Sequence, residues 1–185
     1  MKRVAALTLA VLAFALACTS GAETARKERQ SRATTQSPTP NLAAEPERCS
    51  RGPVPHKRQD VRAVAFARGD PPVYVGLGTA AVVRYTQDTR VYDGWYYYKT
   101  LWAIAPEYGG EVTVTGHQID GANEVLFNAG SGFPGTKLTK LEVPGSGDGE
   151  WRYAPSDTLI RADGCYAFRI EGEGFVHWVT FIARA

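Results

Sequence analysis

The chain has 185 residues and a formal net charge of +2, enough length for one sizeable core and with no internal repeat. The charge is uneven. Residues 19–60 carry eight Lys or Arg against five Asp or Glu, whereas residues 61–185 carry eleven against fourteen, and an acidic folded part argues against nucleic acid as a partner.

The first element is apolar. Lys2 and Arg3 precede Val4 to Ala17, a run without charge in which Thr8 is the one polar side chain. A short basic start, an apolar run and a small-residue boundary predict a secretion signal over residues 1–17. Fourteen residues at ~1.5 Å rise span about 21 Å, short of the ~30 Å hydrocarbon core, so a permanent membrane span is not expected there. No other segment is long and apolar enough for one.

The boundary has two readings. Ala15-Leu16-Ala17 suits an ordinary signal peptidase, which would leave Cys18 as a free thiol. The same "ALAC" resembles the lipobox of bacterial lipoproteins, although Ala15 stands where the usual lipobox has Leu. That resemblance implies cleavage between Ala17 and Cys18, a lipid on the Cys18 thiol and an N-terminal anchor on the membrane, with the rest of the chain outside the cytoplasm. The composition beyond Cys18 favours the lipid. Residues 18–50, "CTSGAETARKERQSRATTQSPTPNLAAEPERCS", are polar and almost without large apolar side chains, a composition expected to remain a disordered stalk. Its cations would lie favourably beside an anionic membrane.

The cysteines are Cys18, Cys49 and Cys165. An odd count in an exported chain is accounted for if Cys18 carries the lipid and Cys49 pairs with Cys165 in an oxidising compartment. The alternative is two unpaired thiols.

Residues 51–185 are punctuated as an all-β domain. Apolar runs such as "VRAVAFA", "VYVGLGTAAVVRY", "GWYYYKTLWAIAP", "EVTVTGHQI", "EVLFNAG", "TKLTKLEV" and "DTLIRA" are separated by Gly, Pro, Asp and Asn breaks. No segment carries helical periodicity over three turns. In "CYAFRIEG", Tyr166, Phe168 and Ile170 share one face and Cys165, Ala167 and Arg169 the other. "EGEG", residues 171–174, makes a tight return. In the closing strand Phe175, His177, Val179 and Phe181 alternate with Val176, Trp178, Thr180 and Ile182. Both faces are largely apolar, which predicts an interior strand or one covered by the entering chain.

"DGCYAFRIEG" resembles the penultimate strand of immunoglobulin-like sandwiches, where an acidic turn followed by Gly-x-Tyr sets a phenol hydrogen-bonded back to nearby backbone. Asp163, Gly164 and Tyr166 match that spacing. Residues 94–185 with the terminal Gly-Cys-Tyr hairpin look like secreted or lipid-anchored bacterial proteins with a small immunoglobulin-like β-sandwich, a group that brings no catalytic residues. The resemblance implies an antiparallel immunoglobulin-like β-sandwich. Cys165 departs from the antibody pattern, because it precedes the tyrosine and should face outward. A bond to Cys49 would then staple the end of the stalk to the outside of the final hairpin.

Side chains that could carry chemistry are sparse. His56, His117 and His177 have no ligand spacing, so no metal is expected. Ser131 in "AGSGF" lacks the Gly-x-Ser-x-Gly strand-to-helix context of a nucleophile elbow. The Gly-rich "GSGDGE" and "GLGTAA" read as loops. No cofactor or catalytic residue is indicated. The suggestive feature is "VYDGWYYYKTLW", with Tyr92, Trp95, Tyr96, Tyr97, Tyr98 and Trp102. On a strand, Trp95 and Tyr97 lie on one face and Tyr96, Tyr98 and Trp102 on the other. Trp102 is expected in the core, and the set on the face opposite it would be either core as well or an exposed platform. Trp95, Tyr96, Tyr97 and Tyr98 are therefore the candidate binding surface. The expectation is a non-enzymatic lipoprotein binding an envelope protein or glycan. The alternatives are a structural or accessory subunit meeting a partner through the last strand and, third, a secreted hydrolase.

Overall fold

The computed structural model describes residues 41–49, 61, 64, 66–77, 82–84, 90–129 and 132–185. The predicted signal over 1–17, Cys18 and most of the stalk lie outside the described residues. Among these there is no helix. The strands are β1 (Asn41–Leu42), β2 (Ala67–Arg68), β3 (Val73–Gly76), β4 (Val82–Arg84), β5 (Arg90–Tyr92), β6 (Trp95–Ile104), β7 (Val112–Gln118), β8 (Leu126–Ala129), β9 (Leu141–Val143), β10 (Arg152–Ile160), β11 (Gly164–Gly172) and β12 (Phe175–Arg184). They form two sheets. One runs β1-β12-β11-β7-β9 with β4 also on β12, and the other runs β2-β3-β6-β10-β8 with β5 also on β6.

The sheets face each other because their strands alternate. On β11, Tyr166, Phe168 and Ile170 are fully buried in a core shared with Val75, Trp102 and Ile104 of the other sheet. Trp102 sits at its centre, with its ring edge-on to Phe168 at 5.1 Å and to Phe127 at 6.4 Å. Its indole N–H donates to Ser156 Oγ at 3.0 Å, and the Thr100 and Thr158 hydroxyls satisfy each other at 2.7 Å. These polar groups cost little because each has a partner. The Tyr166 phenol donates to the Ala162 carbonyl at 2.9 Å, four residues upstream.

The last strand organises the chain's entry. β11 and β12 form a hairpin in which Gly172 faces Phe175. The open edge of β12 takes three other parts of the chain. β1 pairs with it in parallel at Phe175 and Val176, Arg68 donates to the Thr180 carbonyl at 2.8 Å, and β4 pairs in parallel from Ile182 to Arg184. The sheet is thus mixed where an antiparallel one was expected. β1 and β4 reach that edge by long connections rather than hairpins, and such connections permit parallel pairing. A long apolar strand left open there would invite pairing with a second chain.

Residues 41–49, which the sequence places in a disordered stalk ending at residue 50, belong to this arrangement. The Ala43 N–H donates to the Val176 carbonyl at 3.3 Å, and the Trp178 indole N–H donates to the Ala43 carbonyl at 3.0 Å. Cys49 is bonded to Cys165, 116 positions away. Polar composition concealed the attachment, because backbone groups, one indole, the Glu45 carboxylate and one sulfur make the contact rather than apolar side chains. Two strands also differ from expectation. Among the described residues of "VRAVAFA", Ala67 alone enters a ladder, together with Arg68 just beyond it, while Val61 and Val64 are buried as cover for the second sheet. β10 begins at Arg152 although Pro155 lies inside it. The pairing of β8 with β10 starts only at Ser156, so Pro155 lies where β10 is paired on one side, a position that tolerates a missing N–H.

Two outcomes are expected. Reducing the Cys49–Cys165 bond frees a loop of more than a hundred residues and should lower stability by about 2–5 kcal/mol; urea unfolding of oxidised and reduced protein measures it, and equal midpoints would contradict it. Burial holds the Tyr98 and Tyr166 phenols above their ordinary value of 10.0. The folded chain therefore keeps protons that the unfolded chain releases, so stability should be level below pH ~10 and fall as the pH rises through and beyond it. Unfolding midpoints at pH 8, 9.5 and 10.5 check the direction.

Candidate functional site

β6 is aromatic on both faces, and the two faces meet different surroundings. Trp102 and Ile104 enter the central core, where Tyr96 and Tyr98 pack half-buried at its margin. The Tyr98 hydroxyl donates to the Leu77 carbonyl at 2.8 Å. On the opposite face, Trp95 and Tyr97 are buried at 2% and 3% exposure in a separate cluster with Leu126 and Leu159. The pairing of Tyr97 with Leu159, and of Leu159 with Leu126, sets these side chains in a row across β6, β10 and β8.

The candidate surface is therefore corrected. Trp95, Tyr96, Tyr97 and Tyr98 do not form an exposed platform. Trp95 and Tyr97 are a floor, and other residues are laid over them. The Arg161 guanidinium lies 4.0 Å from the Trp95 ring centroid, and the Lys137 ammonium lies 5.7 Å from Tyr92 and 6.0 Å from Trp95. Phe133 meets Tyr97 edge-on at 4.9 Å and Tyr92 at 6.1 Å, with Arg90 4.8 Å above its ring. Long cationic side chains cover apolar rings with their stems and gain cation–π attraction. This layer is why two large aromatics on an outer sheet face are buried.

What reaches solvent is the layer itself. The exposed large apolar side chains among the described residues are Val91, Tyr92, Phe133 and Tyr153; Tyr92 and Phe133 gather here, whereas Val91 pairs with Tyr96 and lies on the opposite face. Tyr92 is 49% and Phe133 40% exposed. The turn from β5 to β6 presents Tyr92. Asp93 and Gly94 both have positive φ, 53° and 73°, the conformation a two-residue hairpin requires and Asp-Gly adopts readily. That dipeptide, flanked by "VY" and "WYYY", was the signal in the sequence for a hairpin carrying the site. Phe133, Arg90, Lys137 and Arg161 carried no local signal.

The electrostatics are mixed. Lys137 pairs with Asp93 at 2.5 Å, and its hydrogen bond and charge hold the Asp93 carboxyl below the usual range. Arg90 contacts buried Asp157 at 3.3 Å, and the Asn128 amide donates to the other Asp157 oxygen at 3.3 Å. The Tyr97 hydroxyl is buried without a hydrogen-bond partner. Desolvation raises its pKa, with Lys137, Asp157, Tyr92 and Asp93 as its charged and phenolic neighbours.

A groove of about 1340 Å³ lies elsewhere, between residues 43–49 and the outer side of β11 and β12. Two of its acids, Asp120 and Asp163, are engaged by the fold. Asp120 accepts from the Cys165 N–H and the Gln118 amide, and Asp163 from the Ala185 N–H. His117 bonds Glu45 at 2.8 Å, and His177 packs on Phe175. Among the described residues no three metal-ligating side chains gather; His56 and Ser131 lie outside them, as do Ala17 and Cys18.

Trp95→Ala should destabilise by about 3–5 kcal/mol, the range for emptying a buried aromatic site, whereas Tyr92→Ala should cost no more than about 1 kcal/mol. Thermal melts of both variants measure the contrast, and equal losses would show that the floor and the exposed layer are not distinct. Comparison with protein-family models, with curated proteins and with solved structures finds no match to the chain, so its function is argued from this geometry.

Proposed function

We propose that the protein is a non-enzymatic cell-envelope lipoprotein, anchored by a lipid on Cys18 and carrying an immunoglobulin-like sandwich that binds an envelope protein or glycan through the Tyr92–Phe133 patch. The observation that carries the binding role is a pair of exposed aromatic rings, held over the buried Trp95 and Tyr97 and edged by Arg90, Lys137 and Arg161. Rigid aromatics with cations at their rim give large contact area at low entropic cost. Sheet pairing supports the immunoglobulin-like class: β6 with β10 in one sheet, β7-β11-β12 in the other, and an early strand parallel to the last. So does the Tyr166 phenol bonded back to Ala162 at the start of β11. The disulfide supports an oxidising compartment.

The accessory-subunit alternative places the partner on the last strand. There the chain's own β1, β4 and Arg68 already meet the edge, which favours the patch as the docking surface. Crosslinking in intact host cells, followed by pull-down of tagged protein, tests this. Wild-type protein should capture envelope material, and Tyr92→Ala with Phe133→Ala should reduce capture at least about tenfold while the melting temperature stays close to wild type. Undiminished capture by the double variant would refute the patch.

A further inference from the structure

We propose that the patch binds carboxylated pyranose sugars of the uronic-acid type, an inference that rests on reading the patch as the docking surface and names its ligand class. Four groups converge there, and each lacks something a sugar acid supplies.

The first is the Tyr97 hydroxyl, a donor buried at 3% residue exposure with no acceptor. An unpaired buried donor destabilises a fold and calls for an explanation. Phe133, 4.9 Å from the Tyr97 ring and 40% exposed, is its cover, and binding as proposed requires this ring to swing aside. The second is Arg161. Arg90 and Lys137 are each engaged with a carboxylate, whereas Arg161 rests on the Trp95 ring, near enough to Asp93 to act on its charge but without an ion pair among the described residues. Its planar fork is free for a carboxylate. The third is the exposed face of Tyr92, a flat apolar surface suited to the C–H face of a pyranose. The fourth is the Asp93 carboxylate, whose Oδ2 takes Lys137 and whose side chain is 71% exposed, leaving Oδ1 as an acceptor for hydroxyl donors.

One open cation, one unsatisfied donor, a ring face and an exposed acceptor match a ligand with a single carboxylate among several hydroxyls. An acidic peptide fits less well. It brings carboxylates without the hydroxyl donors that the exposed Asp93 carboxylate would accept. A neutral sugar leaves Arg161 unused.

Affinity electrophoresis of the full chain in gels containing polygalacturonate, alginate or hyaluronan tests the proposal, with dextran and poly-glutamate as comparisons. At least one polyuronate should retard the protein, and dextran and poly-glutamate should not. Arg161→Ala should weaken retardation about tenfold, the share of one charge-assisted hydrogen bond. Tyr97→Phe should weaken it by a similar factor while leaving the melting temperature unchanged or higher, because the lost hydroxyl had no partner in the fold. A purely structural tyrosine would leave binding untouched. Retardation by none of the polyuronates, equal retardation by dextran or poly-glutamate, or wild-type behaviour of Tyr97→Phe would each overturn the sugar-acid assignment. If cellular capture still depends on Tyr92 and Phe133, the ligand class alone fails; if it does not, the docking surface fails with it.

Discussion

A ten-residue strand with large aromatic side chains on both faces must be covered on both sides, and the rest of the structure can be read as the ways in which β6 is covered. Its inner face supplies Trp102 and Ile104 to the core between the sheets. Its outer face is covered in two pieces. Toward its C-terminal end, Leu101 and Ala103 lie under Val61, Val64, Ala67 and Trp151 with Tyr74. Toward its N-terminal end, Trp95 and Tyr97 lie under cationic stems and Phe133. The first cover is apolar chain and closes the surface. The second consists of long charged side chains and a loop ring, and it leaves aromatic area in solvent. A candidate binding surface exists at that end because of this difference.

The disulfide plays a complementary part on the other sheet. It fixes residues 41–49 across the outside of the final hairpin, where β1 and the Ala43–Trp178 hydrogen bond continue the attachment. Load arriving from the N-terminal side meets β1 and the Ala43 hydrogen bonds on β12 first, and behind them a covalent bond carries it into β11, near the middle of its sheet. These attachments leave the outer face of the opposite sheet, with the aromatic patch, clear of residues 41–49.

The patch shows how burial and exposure can be divided among neighbours of the same chemical type. Trp95 and Tyr97 hold position and contribute stability, whereas Tyr92 and Phe133 hold area available. The unpaired Tyr97 hydroxyl beneath Phe133 is a local conflict between fold and polar satisfaction, and such conflicts concentrate where a protein meets something else.

Alternation and punctuation determined much of this protein without any tertiary information. Period two in "CYAFRIEG" and in the closing strand placed Tyr166, Phe168 and Ile170 inside and Cys165 outside, since a strand admits one choice of face once an apolar row exists. Cysteine parity indicated the partner of Cys165, and turn residues marked the all-β class. Only the tertiary structure decided which aromatics of "WYYYKTLW" are covered, because the cover comes from Phe133, Lys137 and Arg161, some forty to seventy positions away and without a local pattern. The parallel additions of β1 and β4 to the last strand were likewise settled in three dimensions. Backbone pairing at an edge depends on what remains open after the sheets form, and side-chain order along the chain does not encode that.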